Sequence, residues 1–175
     1  MAIQINISLG SGKRAKAPHR VRALIIVGIF LFVSGVAALQ GIARANEKIP
    51  TEIRAKVDFP LYYPSEVPPG YRIDEESFTA TRDVASYAFD GPDNRVSISV
   101  QPKPPGFDFD NFHSKQITGG EPLDTPVGKA TIGTLGDRIV SSMVTDRAWI
   151  LINGPAKTET SVLERLSQRM VEVRD

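Results

Sequence analysis

Apolar and polar residues alternate with a period of two along most of the chain after residue 75. The clearest case is residues 95–101, in which Val96, Ile98 and Val100 alternate with polar side chains. This alternation predicts strands with one packed face and one face in water, as in an antiparallel sheet. The predicted strands span residues 76–82, 84–90, 95–101, 121–125, 129–135, 138–145 and 147–153.

Three stretches show helical spacing instead. Ile49, Ile53 and Val57 are four residues apart and predict a helix of two to three turns before the first strand. In the middle of the chain, Asp108 precedes a short apolar pattern and is a suitable N-cap for a second helix.

A third helix is predicted near the C-terminus. Its apolar face consists of Leu163, Leu166, Met170 and Val173. Ser161 and Glu164 have the spacing of a capping box at its start. Together the elements predict an α+β domain: an antiparallel sheet of about six to seven strands, with the short helix and the C-terminal amphipathic helix packed on one face.

The run FPLYYPSEVPPGYRI at residues 59–73 separates the first helix from the first predicted strand. Pro60, Pro64 and Pro68 are four residues apart, a spacing that does not sustain the three-residue repeat of a polyproline ligand. A flexible spacer would be polar and rich in glycine and serine. We therefore interpret the run as the rigid entrance of the folded domain, pinned to the core by its aromatic side chains.

An apolar segment precedes the domain. Residues 23–39 carry no charge, and extension to residue 43 adds only Gln40 as a clearly polar residue. A helix of this length spans about 31 Å, which matches the core of a bilayer. Five basic residues and no acidic residue precede it. The positive-inside rule therefore predicts a cytoplasmic N-terminus and an extracytoplasmic C-terminal domain.

A cleaved signal peptide is the alternative, because residues 43–45 fit a cleavage site that ends at Ala45. The apolar segment is longer than a signal peptide usually has, so we expect an uncleaved anchor. The predicted organisation is a basic cytoplasmic tail over residues 1–22, a transmembrane helix over 23–43, a membrane-proximal helix and linker over 44–57 and an extracytoplasmic domain over 58–175.

Residues 1–9 also alternate between apolar and polar side chains. We expect a disordered tail there, with a strand that adds to a partner's sheet as the alternative. Beyond residue 22 the chain has 16 basic and 20 acidic residues. This balance argues against nucleic acid as a partner.

The sequence offers little for catalysis. It has no cysteine, which excludes disulfides, thiolate zinc sites and cysteine nucleophiles. His113 is the single histidine after residue 22, and neither G-x-S-x-G nor S-x-x-K occurs. We therefore predict no enzymatic activity, no catalytic residue, no metal site and no cofactor, and we expect His113 on the solvent side of its helix.

The order of several short motifs carries a resemblance. The motifs are YP-x-x-V-P-x-G-Y at residues 63–71, TPVGKA at 125–130, a Trp-containing strand, NGP at 153–155 and a terminal helix. This order resembles domain-of-unknown-function families that lie outside the membrane in bacterial anchored proteins, including the C-terminal regions of some anti-sigma factors. Those domains look like pieces of the lipoprotein-carrier half-barrel.

The resemblance covers about residues 58–174 and implies the fold without placing a functional residue. In the anti-sigma members a cytoplasmic domain grips the sigma factor. A tail of 22 residues is too short for such a domain, so that activity is not expected here.

Six aromatic residues are candidates for a ligand or partner surface, with the domain core as the alternative that we favour for them: Tyr62, Tyr63, Tyr71, Phe107, Phe109 and Phe112. The expected function is a non-enzymatic, membrane-anchored domain that binds, senses or scaffolds an unknown envelope protein. The alternative is a carrier or sensor of an apolar, lipid-like ligand, and an envelope hydrolase is the third hypothesis. An apolar cavity would favour the carrier, whereas a filled core with an exposed patch would favour the partner.

Overall fold

The computed structural model describes residues 48–173, which form three helices and nine strands. The helices are α1 (Thr51–Arg54), α2 (Phe109–Gln116) and α3 (Thr160–Gln168). The strands are β1 (Leu61–Pro64), β2 (Arg72–Ala80), β3 (Ala85–Asp90), β4 (Arg95–Pro102), β5 (Thr118–Thr125), β6 (Gly128–Leu135), β7 (Arg138–Val144), β8 (Ala148–Pro155) and β9 (Met170–Val173).

Seven of the strands form one antiparallel sheet in the order β2-β3-β4-β8-β7-β6-β5. Strands β1 and β9 pair separately as a two-stranded antiparallel ribbon. The prediction of an antiparallel α+β domain is confirmed, and the apolar strand β8 lies at the centre of the sheet. Because β4 lies in the middle of the sheet and β5 at its edge, the chain between them must cross a face of the sheet, and α2 lies on that crossing.

The sheet has a core face and an outer face, because successive side chains along a strand point in opposite directions. We define the core face by the fully buried residues Ile98, Ile150 and Ile152. Helix α3 packs there with Leu163 and Leu166, which are also fully buried. The ribbon of β1 and β9 completes this core.

The two longer helices lie on opposite faces of the sheet, which corrects the prediction that both pack on one face. Ser141 of β7 points to the core face, where its hydroxyl lies 2.8 Å from the hydroxyl of Ser167 in α3. Ser142 points to the outer face and contacts His113 of α2 at 2.8 Å. The amphipathic pattern of a helix shows that one side is buried, but it does not say which side of a sheet buries it.

The C-terminal helix is shorter than its apolar spacing predicted. Helix α3 ends at Gln168, and Met170 and Val173 belong to β9. The predicted capping box is also wrong, because Glu159 occupies the N-cap position and Ser161 donates a hydrogen bond to its carboxylate at 3.3 Å. Residues three apart can share one side of a helix or flank a helix-to-strand junction, and the spacing alone does not separate these cases.

The proline-rich run lies on the core, as the sequence predicted, but it contains a strand that the sequence did not predict. All four residues of β1 are buried, and Leu61 pairs with Val173 of β9. The carbonyl of Tyr62 also accepts a hydrogen bond from the Tyr87 hydroxyl at 2.7 Å. The preceding helix α1 has only four residues rather than two to three turns.

The predicted tail, the predicted membrane helix and residues 44–47 of the predicted linker lie outside the described residues. Within residues 48–173, no helix is long and apolar enough to cross a membrane.

Replacing Leu166 with alanine tests the packing of α3 against the core face. Since Leu166 is fully buried, its truncation should leave a cavity and lower the free energy of unfolding by about 2–5 kcal/mol. Urea unfolding of the full-length chain in detergent, followed by circular dichroism, measures the change. Arg165→Ala, at an exposed neighbouring position, is the control and should cost less than about 0.5 kcal/mol. Equal losses in the two variants would contradict the placement of α3.

Candidate functional site

Helix α2 is held on the outer face at both of its ends. Its N-terminus is capped as predicted, because the Asp108 carboxylate accepts a hydrogen bond from the Asn111 N–H at 2.9 Å. At the other end, Ile117 is buried against Gly133 of β6. A Cβ atom at position 133 would lie 2.6 Å from the Ile117 side chain and 2.7 Å from the carbonyl oxygen of Thr118. Only a glycine there allows the chain after α2 to approach the sheet this closely.

Four aromatic residues cluster around the start of α2. Phe107 stacks on Trp149 of β8, with ring centroids 6.0 Å apart and an interplanar angle of 22°. Phe109 and Phe112 meet the same indole nearly edge-on, each at 5.5 Å. Phe109 is buried, whereas Phe107 is 42% exposed and is the one exposed large hydrophobic residue among those described. We call Phe107, Phe109, Phe112 and Trp149 the aromatic cluster.

His113 fastens α2 to the sheet beneath this cluster. Its Nε2 lies 2.8 Å from the Ser142 hydroxyl, and its Nδ1 lies 3.1 Å from the Thr131 hydroxyl. The Trp149 indole N–H donates to the same Ser142 hydroxyl at 2.9 Å. The expectation that His113 lies on the solvent side of its helix is therefore wrong. It is half-buried because the polar positions of β6 and β7 face the helix.

The hydrogen bonds favour a neutral His113. If the Ser142 hydroxyl accepts from Trp149, it can donate to His113 Nε2, while His113 Nδ1–H donates to Thr131. This arrangement gives each ring nitrogen a partner of the right kind. Burial lowers the pKa of His113, and the nearby Asp110 carboxylate opposes that shift without reversing it.

The His113–Ser142 contact lacks the surroundings of a catalytic pair. Ser142 is fully buried, so its oxygen is not open to a substrate. In a catalytic triad a carboxylate orients the histidine, but here the Thr131 hydroxyl occupies that position. The geometry suits a structural hydrogen-bond network.

An open cleft of about 640 Å³ adjoins α2 and the ends of β6 and β7. Phe107 and Phe109 line one side, and Val127 and Val144 are among the apolar residues elsewhere in it. Charges of both signs share the cleft: Lys103, Asp108, Asp110, Lys129 and Asp146. The cleft therefore combines an exposed aromatic ring with charged groups of both signs.

The six candidate aromatic residues divide between two places. Phe107, Phe109 and Phe112 belong to the aromatic cluster on the outer face. Tyr62 and Tyr63 are buried in β1 on the core side, where burial raises the pKa of Tyr63 to about 12. Tyr71 donates to the Asn94 side chain at 2.6 Å, beside the turn between β3 and β4. The structure does not bring the six residues into one pocket.

Sequence reasoning did not find the sheet side of this site. It placed Trp149 in a predicted strand and attached no role to Ser142 or Thr131. Ala148, Ile150 and Ile152 are fully buried on the core face, so alternation alone assigns Trp149 to the other face. Pairing with β7 then places it near Ser142, but that register is a long-range property.

The core beneath the sheet is filled. Its largest side chains, including Phe89, Ile98 and Met143, have no exposed area. The clefts found on the described part of the chain measure about 290 to 640 Å³ and open to solvent, with both polar and apolar residues around them. Among residues 48–173, no group of three or more acidic or histidine residues is arranged to hold a metal ion.

No protein-family model matches the chain, and no curated protein matches it. Among solved structures, the chain is similar to a crystal structure of MucB in complex with MucA(peri), with 17% sequence identity and a TM-score of 0.41. The match covers 65% of this chain and 37% of that chain, so the present chain spans little more than a third of its length. At this TM-score the two folds differ too much for residues or roles to be transferred.

Replacing Ser142 with alanine tests the network under the aromatic cluster. The change removes the acceptor of the Trp149 N–H and a partner of His113, so it should lower the free energy of unfolding by about 1–3 kcal/mol. Urea unfolding measures this loss. Ser99→Ala is the control, because the Ser99 hydroxyl makes only a 3.5 Å contact with the Leu151 carbonyl. Its loss should stay below about 0.5 kcal/mol. An unchanged free energy of unfolding in Ser142→Ala would contradict the network.

Proposed function

We propose that the domain is a non-enzymatic binding and scaffolding module that holds a protein partner on the aromatic cluster and the cleft beside α2. The observation that carries the proposal is Phe107, which is 42% exposed while stacked on a partly buried tryptophan. Large aromatic residues with a rigid support are the residue types that dominate binding energy in protein interfaces. In an isolated domain the exposed face of Phe107 has no apolar cover, so a partner's side chain would gain from covering it.

The composition of the cleft favours a protein segment over a lipid-like ligand. An acyl chain is entirely apolar and is best enclosed by apolar walls, whereas the filled core leaves no such space beneath the sheet. The cleft instead surrounds apolar side chains with two lysines and three aspartates. A peptide carries apolar side chains, charges and backbone polar groups together, and so complements this mixture.

The non-enzymatic part of the proposal is supported by the surroundings of His113. It is the most suggestive group for catalysis in the described residues, and its hydroxyl partner Ser142 is fully buried. We also propose that residues 23–43 anchor the protein and that the domain faces an extracytoplasmic compartment. This rests on the uncharged apolar segment and the basic residues that precede it.

Site-specific photocrosslinking in the protein's own cells tests the partner surface. A benzophenone side chain is placed at Phe107 and, as the control, at exposed Arg82 beyond the end of β2. We expect position 107 to give one reproducible adduct with an envelope protein that position 82 does not give. Equal adducts at both positions, or adducts with lipid alone at 107, would overturn the proposal, and the lipid result would favour the carrier hypothesis.

The purified adduct partner then allows a quantitative test. Phe107→Ala should weaken binding by about thirty-fold, the scale of an interface hot spot of about 2 kcal/mol. Phe78→Ala is the matched aromatic control, since Phe78 stacks on Tyr87 at 5.4 Å on the core side. That variant should keep its affinity as long as it remains folded by circular dichroism. Unchanged affinity of Phe107→Ala would contradict the role of Phe107.

A further inference from the structure

The aromatic cluster depends on a hydrogen-bond network that includes one titratable group. Trp149 donates to Ser142, Ser142 contacts His113, and Phe107 stacks on Trp149. A change in the state of His113 therefore reaches the exposed ring through two intermediate side chains. No other residue joins α2 to both β6 and β7 through side-chain hydrogen bonds in the described part of the chain.

Protonation of His113 is incompatible with the network as it stands. An imidazolium donates at both nitrogens and accepts at neither. Ser142 would then receive hydrogens from both His113 and Trp149, and its own hydroxyl hydrogen would lose the acceptor that neutral His113 provides. Because Ser142 is fully buried, water cannot replace that acceptor without movement of α2.

The charges around His113 do not compensate for this cost. The charged residues that share its cleft come from the segment before α2, from α2 itself, from β6 and from the turn between β7 and β8: Lys103, Asp108, Asp110, Lys129 and Asp146. Of these, Asp110 opposes the lowering of the His113 pKa, and burial outweighs it. The Asp108 carboxylate is engaged by the helix cap. The β7 and β8 partners of the histidine network, Ser142 and Trp149, are neutral.

We propose that His113 is a pH-sensitive latch for the aromatic cluster. Neutral His113 holds α2 and Trp149 in the binding arrangement, and protonated His113 releases them. The latch regulates the surface assigned above, and its effect on a partner therefore rests on the proposed function. The predicted consequence is that acidification weakens partner binding.

The direction of the pH dependence follows from linkage. The pKa of His113 is lowered in the folded domain relative to its ordinary value of 6.5. At a pH between the folded-state and unfolded-state pKa values of His113, the unfolded chain binds more protons than the folded domain. The network's contribution to stability is therefore complete above pH 6.5 and is lost as the pH falls through the folded-state pKa. If the partner binds only the latched form, its affinity falls by up to about ten-fold per pH unit below the folded value.

The single tryptophan provides a readout that needs no partner, because the chain has only Trp149. The full-length chain in detergent, with ¹⁵N-labelled tryptophan, gives one indole N–H signal in an NMR titration from pH 8 to pH 4.5. We expect this signal to shift with a midpoint below 6.5. His113→Gln keeps a hydrogen-bonding side chain that cannot titrate, and its indole signal should not move over the same range.

His19→Gln is the matched control, because His19 is the only other histidine and lies in the predicted cytoplasmic tail. That variant should titrate like the parent protein. An indole signal that is constant in the parent, or that shifts equally in His113→Gln, would overturn the latch. Circular dichroism at each pH shows whether the domain remains folded. An indole shift that coincides with global unfolding would count against the latch.

The two proposals fail in different ways. The latch is supported if the crosslinked partner binds the parent protein at least ten-fold more weakly at pH 4.5 than at pH 8, while it binds His113→Gln with equal affinity at the two pH values. If the indole signal titrates as expected while Phe107→Ala leaves affinity unchanged, the latch stands as a property of the fold and the proposed surface is wrong. If Phe107→Ala weakens binding but the indole signal never titrates, the surface stands and the latch is wrong.

Discussion

Two consecutive serines on β7 organise this domain. The pleat of the strand sends Ser141 and Ser142 to opposite faces, where one contacts Ser167 of α3 and the other contacts His113 of α2. Both serines are fully buried, so each hydroxyl needs a hydrogen-bond partner within the protein. Ser142 also accepts a hydrogen bond from Trp149 of β8. A one-residue slip of β7 would move each hydroxyl to the opposite face of the sheet and leave both helices with the wrong contacts. The register of β7 therefore ties the structural face and the candidate functional face together.

The two faces differ in how they are stabilised. The core face is a dense apolar layer in which α3 and the β1–β9 ribbon cover Ile98, Ile150 and their neighbours. The outer face is covered over part of its area by α2, a helix of eight residues, through aromatic contacts and a few hydrogen bonds. Loss of α2 from the sheet would leave the main core intact. This separation allows the outer face to change with conditions while the fold persists.

Local sequence patterns predicted the strands well because antiparallel strands carry their burial in a two-residue period. Five of the predicted strands agree with the observed elements within two residues at each end, including Ala85–Asp90 and Arg95–Pro102. The Asp108 cap was also predictable, since a cap depends on residues three positions apart. Local patterns did not predict elements whose pairing is long-range: β1 and β9 have no alternation of their own, and only their contact with each other makes them strands. The sheet residues of the candidate site were not predicted for the same reason, because the register of the sheet is what brings Trp149, Ser142 and Thr131 to α2.

The pairing of β1 with β9 has a consequence for how the domain forms. Leu61 near the start of the domain pairs with Val173 near its end, so this ladder closes the longest loop in the described chain. Long-range pairings of this kind form slowly because the chain entropy is lost before the contact is gained. If the domain is translocated starting from the residues next to the predicted anchor, Tyr62 and Tyr63 would lack their partner strand until the last residues arrive. The segment nearest the predicted anchor would then become a paired strand only after the C-terminal residues arrive, although it precedes the rest of the domain along the chain.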